Sequence, residues 1–188
     1  MAKNAYPVRL DIDYQEPLNR LTTFFRPILV IPAAIVAGLL SNGLAFATLL
    51  MIVFRRRYPR WWFDFARELA RLNMRIGAYA LLLTDKYPST VKDQAVDLAI
   101  EYPNAEKDLS RWLPLVKWFL AIPHYVVLAL LWLFGVFAVL VAWIAILITG
   151  RYPRPIFDYV VGLLRWTVRV QGYVGLLVTD RYPPFSVA

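Results

Sequence analysis

The sequence predicts a mainly α membrane protein made of two tandem repeats. Each repeat would hold a short β-strand, a hydrophobic helical hairpin (or one long membrane helix) and an interfacial amphipathic helix. Three observations predict this: two long apolar blocks, a series of motifs that recurs in the same order in both halves, and charged residues on one face of the segment after each block. The 188 residues are 60% hydrophobic and 18% charged, with mean hydropathy +0.50. That composition excludes a disordered tail and argues against an ordinary soluble domain. Lysine and arginine (21) outnumber aspartate and glutamate (13), so the formal charge is +8 and wetted surface should favour anionic partners. The absence of cysteine removes disulfides, thiolate metal sites and cysteine nucleophiles together.

The repeat is read by aligning the chain with itself. Val8 to Tyr14 (VRLDIDY) resembles Val96 to Tyr102 (VDLAIEY), Ile31-Pro32 matches Ile122-Pro123, and Arg57-Tyr-Pro-Arg60 recurs as Arg151-Tyr-Pro-Arg154. Phe63-Asp64, Arg71, Arg75 and Tyr79 recur at unchanged spacing as Phe157-Asp158, Arg165, Arg169 and Tyr173. Thr84-Asp-Lys-Tyr-Pro88 closes the first unit and Thr179-Asp-Arg-Tyr-Pro183 the second. The polar stretch Ser89 to Gln94 reads as the linker, which gives a first repeat over 1–90 and a second over 91–188, together one membrane domain.

In each unit the strand comes first. Val8, Leu10, Ile12 and Tyr14 alternate with Arg9, Asp11 and Asp13, and Val96, Leu98, Ile100 and Tyr102 alternate likewise, the period of a half-buried strand. A lone strand is marginal, so the two should pair. The apolar blocks follow, from Pro27 to Phe54 and from Trp118 to Gly150, both beyond the ~18 residues that suggest a membrane helix. The N-terminal MAKNAYPVRLDIDY lacks the features of a signal peptide, so the first block should be retained.

Basic residues flank both ends of both blocks, which conflicts with the positive-inside bias for a single span. Hairpins returning to the same face, turning at Ser41-Asn42-Gly43 and near Leu133-Phe134-Gly135, would resolve the conflict. A single tilted span per repeat is the alternative. In the last element Asp64, Glu68, Arg71 and Arg75 share one face, and Trp62, Phe65, Leu69, Leu72 and Ile76 the other. Burying those charges at mid-bilayer would be costly, so this helix should lie in the headgroup plane, and Phe157 to Thr179 is read the same way.

These residues resemble the bacterial membrane family catalogued as domain of unknown function 4389, whose signatures here are the Arg-Tyr-Pro and Thr-Asp-basic-Tyr-Pro motifs in both halves. The resemblance implies a membrane class and transfers no catalytic residue. The second copy departs from the first locally, with Pro155-Ile156 where the first has Trp61-Trp62.

Asp64, Arg71, Arg75, Asp158, Arg165 and Arg169 are candidates for lipid-headgroup contact or for ion pairs between repeats, such as Asp64 with Arg165 or Arg169. Arg57, Tyr58, Arg151 and Tyr152 suit interfacial anchors ahead of a helix-opening proline. His124, the sole histidine, is either an intramembrane functional group or a hydrogen-bonded structural one. No metal site, cofactor or catalytic residue is expected, since one histidine without cysteine cannot build a zinc or bis-histidine haem site in one chain. No nucleotide-binding or hydrolase motif appears either.

The expected function is that of a non-enzymatic accessory or scaffold subunit of a larger membrane complex, with docking area that includes Trp132 and Trp143. Membrane shaping is the alternative, and a small transporter or channel ranks third. Expected partners are anionic lipids and a membrane protein or a second copy, with no nucleic acid. The expected location is the bacterial inner membrane, with the basic flanks and amphipathic helices on the cytoplasmic side.

Overall fold

The computed structural model describes residues 6–90 and 94–187. Residues 1–5, the middle of the expected linker at 91–93, and residue 188 lie outside the described residues. The expected strands are β1 (Val8–Ile12) and β2 (Val96–Ile100), paired antiparallel with Val8 opposite Ile100 and Ile12 opposite Val96. Their alternation buries Val8, Leu10, Ile12, Val96, Leu98 and Ile100 and leaves Arg9, Asp11, Asp97 and Glu101 exposed. A two-stranded ribbon needs its apolar side covered.

The first repeat continues with α1 (Arg20–Leu29), α2 (Ile31–Ser41), α3 (Leu44–Arg55) and α4 (Arg60–Ala80). The second repeat has α5 (Pro114–Leu120), α6 (Ile122–Thr149) and α7 (Arg154–Val174). Val30 between α1 and α2 and Ala121 between α5 and α6 both keep right-handed helical geometry. The hydrogen-bond ladder runs through each: Val30 N–H donates to Arg26 O and Ala34 N–H to Val30 O, while Ala121 N–H donates to Lys117 O and Tyr125 N–H to Ala121 O. Two helical stretches, Arg20–Arg55 and Ile122–Thr149, are long and apolar enough to cross a membrane.

The expected hairpins do not form, and the long-helix alternative is the one the chain adopts. Leu133-Phe134-Gly135 lies inside the unbroken α6, because a lone glycine among helix-compatible apolar residues does not stop a helix. Gly135 instead permits close approach: a Cβ there would lie 2.9 Å from Leu163 Cδ1. Ser41-Asn42-Gly43 does interrupt the first block, with Asn42 extended and Gly43 left-handed at φ 77°. Even so, α3 carries on in the sense of α2, because α4 runs back beside both: Trp62 Nε1 donates to Thr48 Oγ1 at 2.9 Å and Asn73 Nδ2 to Ser41 Oγ at 3.0 Å. Further along, Asp85 meets Arg26.

The amphipathic helices are the middle layer of the fold, covered on two sides. On α4 the Arg71 side faces β2, where Nη2 reaches Leu98 O at 3.4 Å, and the opposite Trp62 and Asn73 side meets the first apolar block. On α7 the Arg165 side faces β1, and Leu163 and Thr167 meet α6. The strands are exchanged, β1 packing on α7 and β2 on α4. The long helices stay with their own repeat, α2 packing on α4 and α6 on α7, and meet each other across the repeats, α1 against α6 and α3 against α5. The physical reason is that each helix has two faces to cover, and the polar stripe finds its partners in the other repeat's strand.

Candidate functional site

Two buried cations sit at equivalent places. Arg26, fully buried on α1, pairs with Asp85, and its guanidinium carbon lies 4.9 Å from the centroid of the Tyr79 ring. Arg26 Nε and Nη1 have no hydrogen-bond acceptor among the described residues, so the ring face lies where an acceptor would otherwise be. In the second repeat Lys117, also fully buried, lies 2.8 Å from Asp180 Oδ1, donates to Thr179 O at 2.8 Å and stands 4.8 Å from the Tyr173 ring centroid. The carboxylates in turn accept from backbone N–H groups, Asn19 N–H to Asp85 at 2.7 Å and Ser110 N–H to Asp180 at 2.5 Å. Each Thr-Asp-basic-Tyr-Pro motif therefore clamps the start of its own repeat's long helix. Burial pushes the Lys117 ammonium below its ordinary pKa, and Asp180 opposes that shift.

In the sequence Arg26 and Lys117 look like ordinary basic flanks of the apolar blocks. The available signal was their common position, five residues before the Ile-Pro of each repeat, together with the Asp and Tyr that recur later.

The Arg-Tyr-Pro corners tie the repeats together. Tyr102 donates to Tyr58 O at 2.6 Å, and the Tyr14 hydroxyl lies 2.5 Å from Tyr152 O. Tyr58 donates to Leu176 O at 3.0 Å and Tyr152 to Leu81 O at 3.3 Å, again across the repeats. Arg60 covers the Tyr102 ring at 4.6 Å and Arg154 the Tyr14 ring at 4.2 Å. Tyr58 and Tyr152 are buried, whereas Arg57 and Arg151 are exposed. Burial raises both tyrosines well above the usual phenol pKa.

The charged stripes divide differently from the expected pairing. Asp64 is bridged on its own helix by Arg67 at 3.4 Å and Arg60 at 3.7 Å. Arg165 pairs across the repeats, but with Asp11 of β1 at 2.7 Å, and its Nε donates to Leu10 O at 2.9 Å. Arg71 pairs with Glu68 at 2.9 Å, and Asp158 with Arg154 at 3.7 Å. Arg75 is buried and donates to Ser89 O, and Arg169 donates to Ser186 O at 3.3 Å.

His124 is fully buried: its Nδ1 accepts from Trp166 Nε1 at 3.0 Å, and its ring stacks on Phe185 with centroids 4.0 Å apart. Trp132 and Trp143 are used inside the chain, donating to Thr167 Oγ1 at 3.1 Å and to Thr23 O at 3.2 Å. Exposed tryptophans lie elsewhere, at Trp61, Trp112 and Trp118. Among the described residues no three His, Asp or Glu side chains converge as a metal site requires. A groove of about 500 Å³ opens between the first long helix, α4 and the end of α7, lined by Gly38, Ser41, Leu44, Asn73 and Gln171 among others.

No curated protein and no solved structure matches this chain. A family model described as a domain of unknown function, DUF4389, matches it twice, over residues 20–92 and 111–186, the spans that run from the start of each long helix past each clamping aspartate. With both matches covering most of its length, the chain belongs to the DUF4389 family and carries two tandem copies of that domain.

Proposed function

We propose that this protein is a non-enzymatic, membrane-embedded scaffold, an accessory subunit that presents apolar surface to a larger membrane complex. One observation carries the reading: only 11% and 17% of the most apolar stretches of the two long helical segments are buried. Large side chains such as Leu39, Phe46, Phe54, Phe134, Phe137 and Ile148 are exposed. A contiguous apolar layer of this kind far exceeds what soluble monomers leave open, and lipid or a membrane partner is its natural cover. The charged stripes of α4 and α7 support the reading too, because their side chains are engaged in pairs with one another or with the ribbon.

Gentle detergent extraction followed by size analysis tests the proposal. Further subunits should copurify in fixed ratio. A lone chain recovered under conditions that keep other membrane complexes intact would remove the scaffold reading, and full recovery in the soluble fraction without detergent would remove the membrane itself.

Membrane shaping is the second reading. It is favoured by the placement of the exposed apolar helices on one side of α4 and α7, opposite the ribbon. A body inserted from one side expands one leaflet more than the other, so purified protein would deform vesicles, which a pure scaffold leaves unchanged.

A further inference from the structure

The two long helical rods lie antiparallel. Arg111, just before α5, donates from Nε to Val53 O at 2.7 Å, so α5 begins where α3 ends. At the far end Leu18 N–H donates to Gly150 O at 3.0 Å and Trp143 Nε1 reaches Thr23 O, so α1 begins where α6 ends. The α5–α6 rod runs from Pro114 to Thr149, about 54 Å at 1.5 Å per residue. A hydrocarbon core is about 30 Å thick, so an upright rod of this length is far too long.

The ribbon excludes a crossing more sharply. Both strands run alongside α4 and α7, which themselves run alongside the long rods: Val8 lies against Gly172, Leu10 and Asp11 against Arg165, and Tyr14 against Phe157. If the rods crossed a bilayer, the ribbon would stand beside them at mid-depth. Its outer face carries exposed Arg9, Asp11, Asp13, Asp97 and Glu101, and its two outer edges have backbone groups that lipid cannot satisfy.

We infer that the long rods lie flat in one leaflet of an anionic bilayer, with the ribbon on the water side and α4 and α7 between. This rests on the membrane reading above and says how the membrane is met. A flat rod has no length limit, and one side of the fold is then wholly in lipid. The buried positions along α5–α6 agree: Ala121, His124, Leu128, Gly135, Ala142 and Ile146 form one stripe at helical spacing against the body, and the flanking faces are exposed. Charge agrees as well. Exposed Arg55, Arg56, Arg57 and Arg60 rim one end of the rods and Arg20, Arg151 and Arg154 the other, at headgroup level, whereas the outward ribbon face is mainly acidic. Basic groups at both ends of both blocks, a puzzle for crossing helices, are what a flat rod meeting headgroups at each end requires. Trp61 and Trp112 stand at the Arg55–Arg60 end, where an interfacial aromatic belongs.

The chain has no cysteine, so single cysteines report position directly. Glu106→Cys marks the Arg56–Arg57 end, Lys86→Cys the Arg26 end and Asp97→Cys the ribbon; all three positions are exposed. In sealed membranes a membrane-impermeant maleimide should label all three from the same side. Labelling of Glu106→Cys and Lys86→Cys from opposite sides, or protection of Asp97→Cys from both, overturns the flat disposition while leaving a membrane scaffold standing. Flotation separates the two failures, since a chain that does not float with any vesicle sinks the membrane reading itself. Recovery on phosphatidylserine-containing vesicles should exceed that on pure phosphatidylcholine at least about tenfold. Equal recovery overturns the anionic preference.

Discussion

Lys117 lies 2.8 Å from Asp180 with no exposure to solvent, in the place that Arg26 holds against Asp85 in the first repeat. Two different cations at one structural position imply that the position needs a positive charge under a tyrosine ring more than it needs a particular shape. Lys117→Arg should therefore change stability by less than about 1 kcal/mol. Asp85→Asn and Asp180→Asn, which leave a buried cation unpaired, should each cost about 3–5 kcal/mol. Thermal unfolding in detergent measures all three.

The exchanged tyrosine bonds sit at opposite ends of the fold. Tyr102→Phe and Tyr152→Phe each remove one hydrogen bond between repeats and should each cost about 0.5–1.5 kcal/mol. Because the sites share no partner, the double variant should cost the sum within about 0.5 kcal/mol. A strongly non-additive result would mean that the two corners act as one unit.

Left-handed backbone falls at matched positions. Arg56 at φ 50° and Gly150 at φ 75° both cap a long helix, and the exposed Arg56 side chain gains nothing from burial to offset its strain. Arg56→Gly should stabilise by up to about 1 kcal/mol. Leu82 at φ 68° and Leu177 at φ 55° are left-handed too, but both are buried, and Leu82→Gly should destabilise because the lost apolar burial, about 2 kcal/mol, outweighs the relief. Denaturant midpoints of the two variants should move in opposite directions.

Gly172 is where β1 meets α7. A Cβ there would lie 2.6 Å from Val8 Cγ2, so Gly172→Ala should push the ribbon off the helix at about 1–3 kcal/mol. Pairing it with Val8→Ala should restore part of the loss, and no rescue would mean that the helix backbone, not the strand, is the obstacle.

Alkaline titration probes the tyrosines. Burial, then the Glu16 carboxylate, raises Tyr14 to about 12, and burial raises Tyr58 and Tyr152 further. A folded-state pKa above the unfolded value gives stability that is complete below pH 10 and lost as pH climbs through the folded values. Tyr14, Tyr58 and Tyr152 should therefore ionise only above pH 10 and together with unfolding. Absorbance at the tyrosinate band, followed alongside circular dichroism, checks that their ionisation and the loss of helix coincide.

The doubled unit, the two strands and their pairing, and the extent and apolarity of the two blocks were legible in the residues, because these follow from period, composition and self-similarity, whereas the antiparallel register and the continuation of each block in one direction were not. The corners at Pro59 and Pro153 were legible as well, since proline ahead of a helical pattern suits the first turn of a helix. Direction and company came from packing between the repeats. Whether Asn42-Gly43 turns the chain back or merely bends it depends on what α4 offers alongside, and the Thr48 and Ser41 contacts hold the next helix on course. The charged stripe of α4 and α7 looked like a surface because helical spacing shows which residues share a face but not what covers it. Covering came from a strand far away in sequence, which supplies carbonyls and Asp11 to arginines that would otherwise face lipid headgroups. Arg26 and Lys117 escaped notice for the same reason: a lone basic residue beside an apolar block looks like a flank until the aspartate some sixty residues later folds onto it.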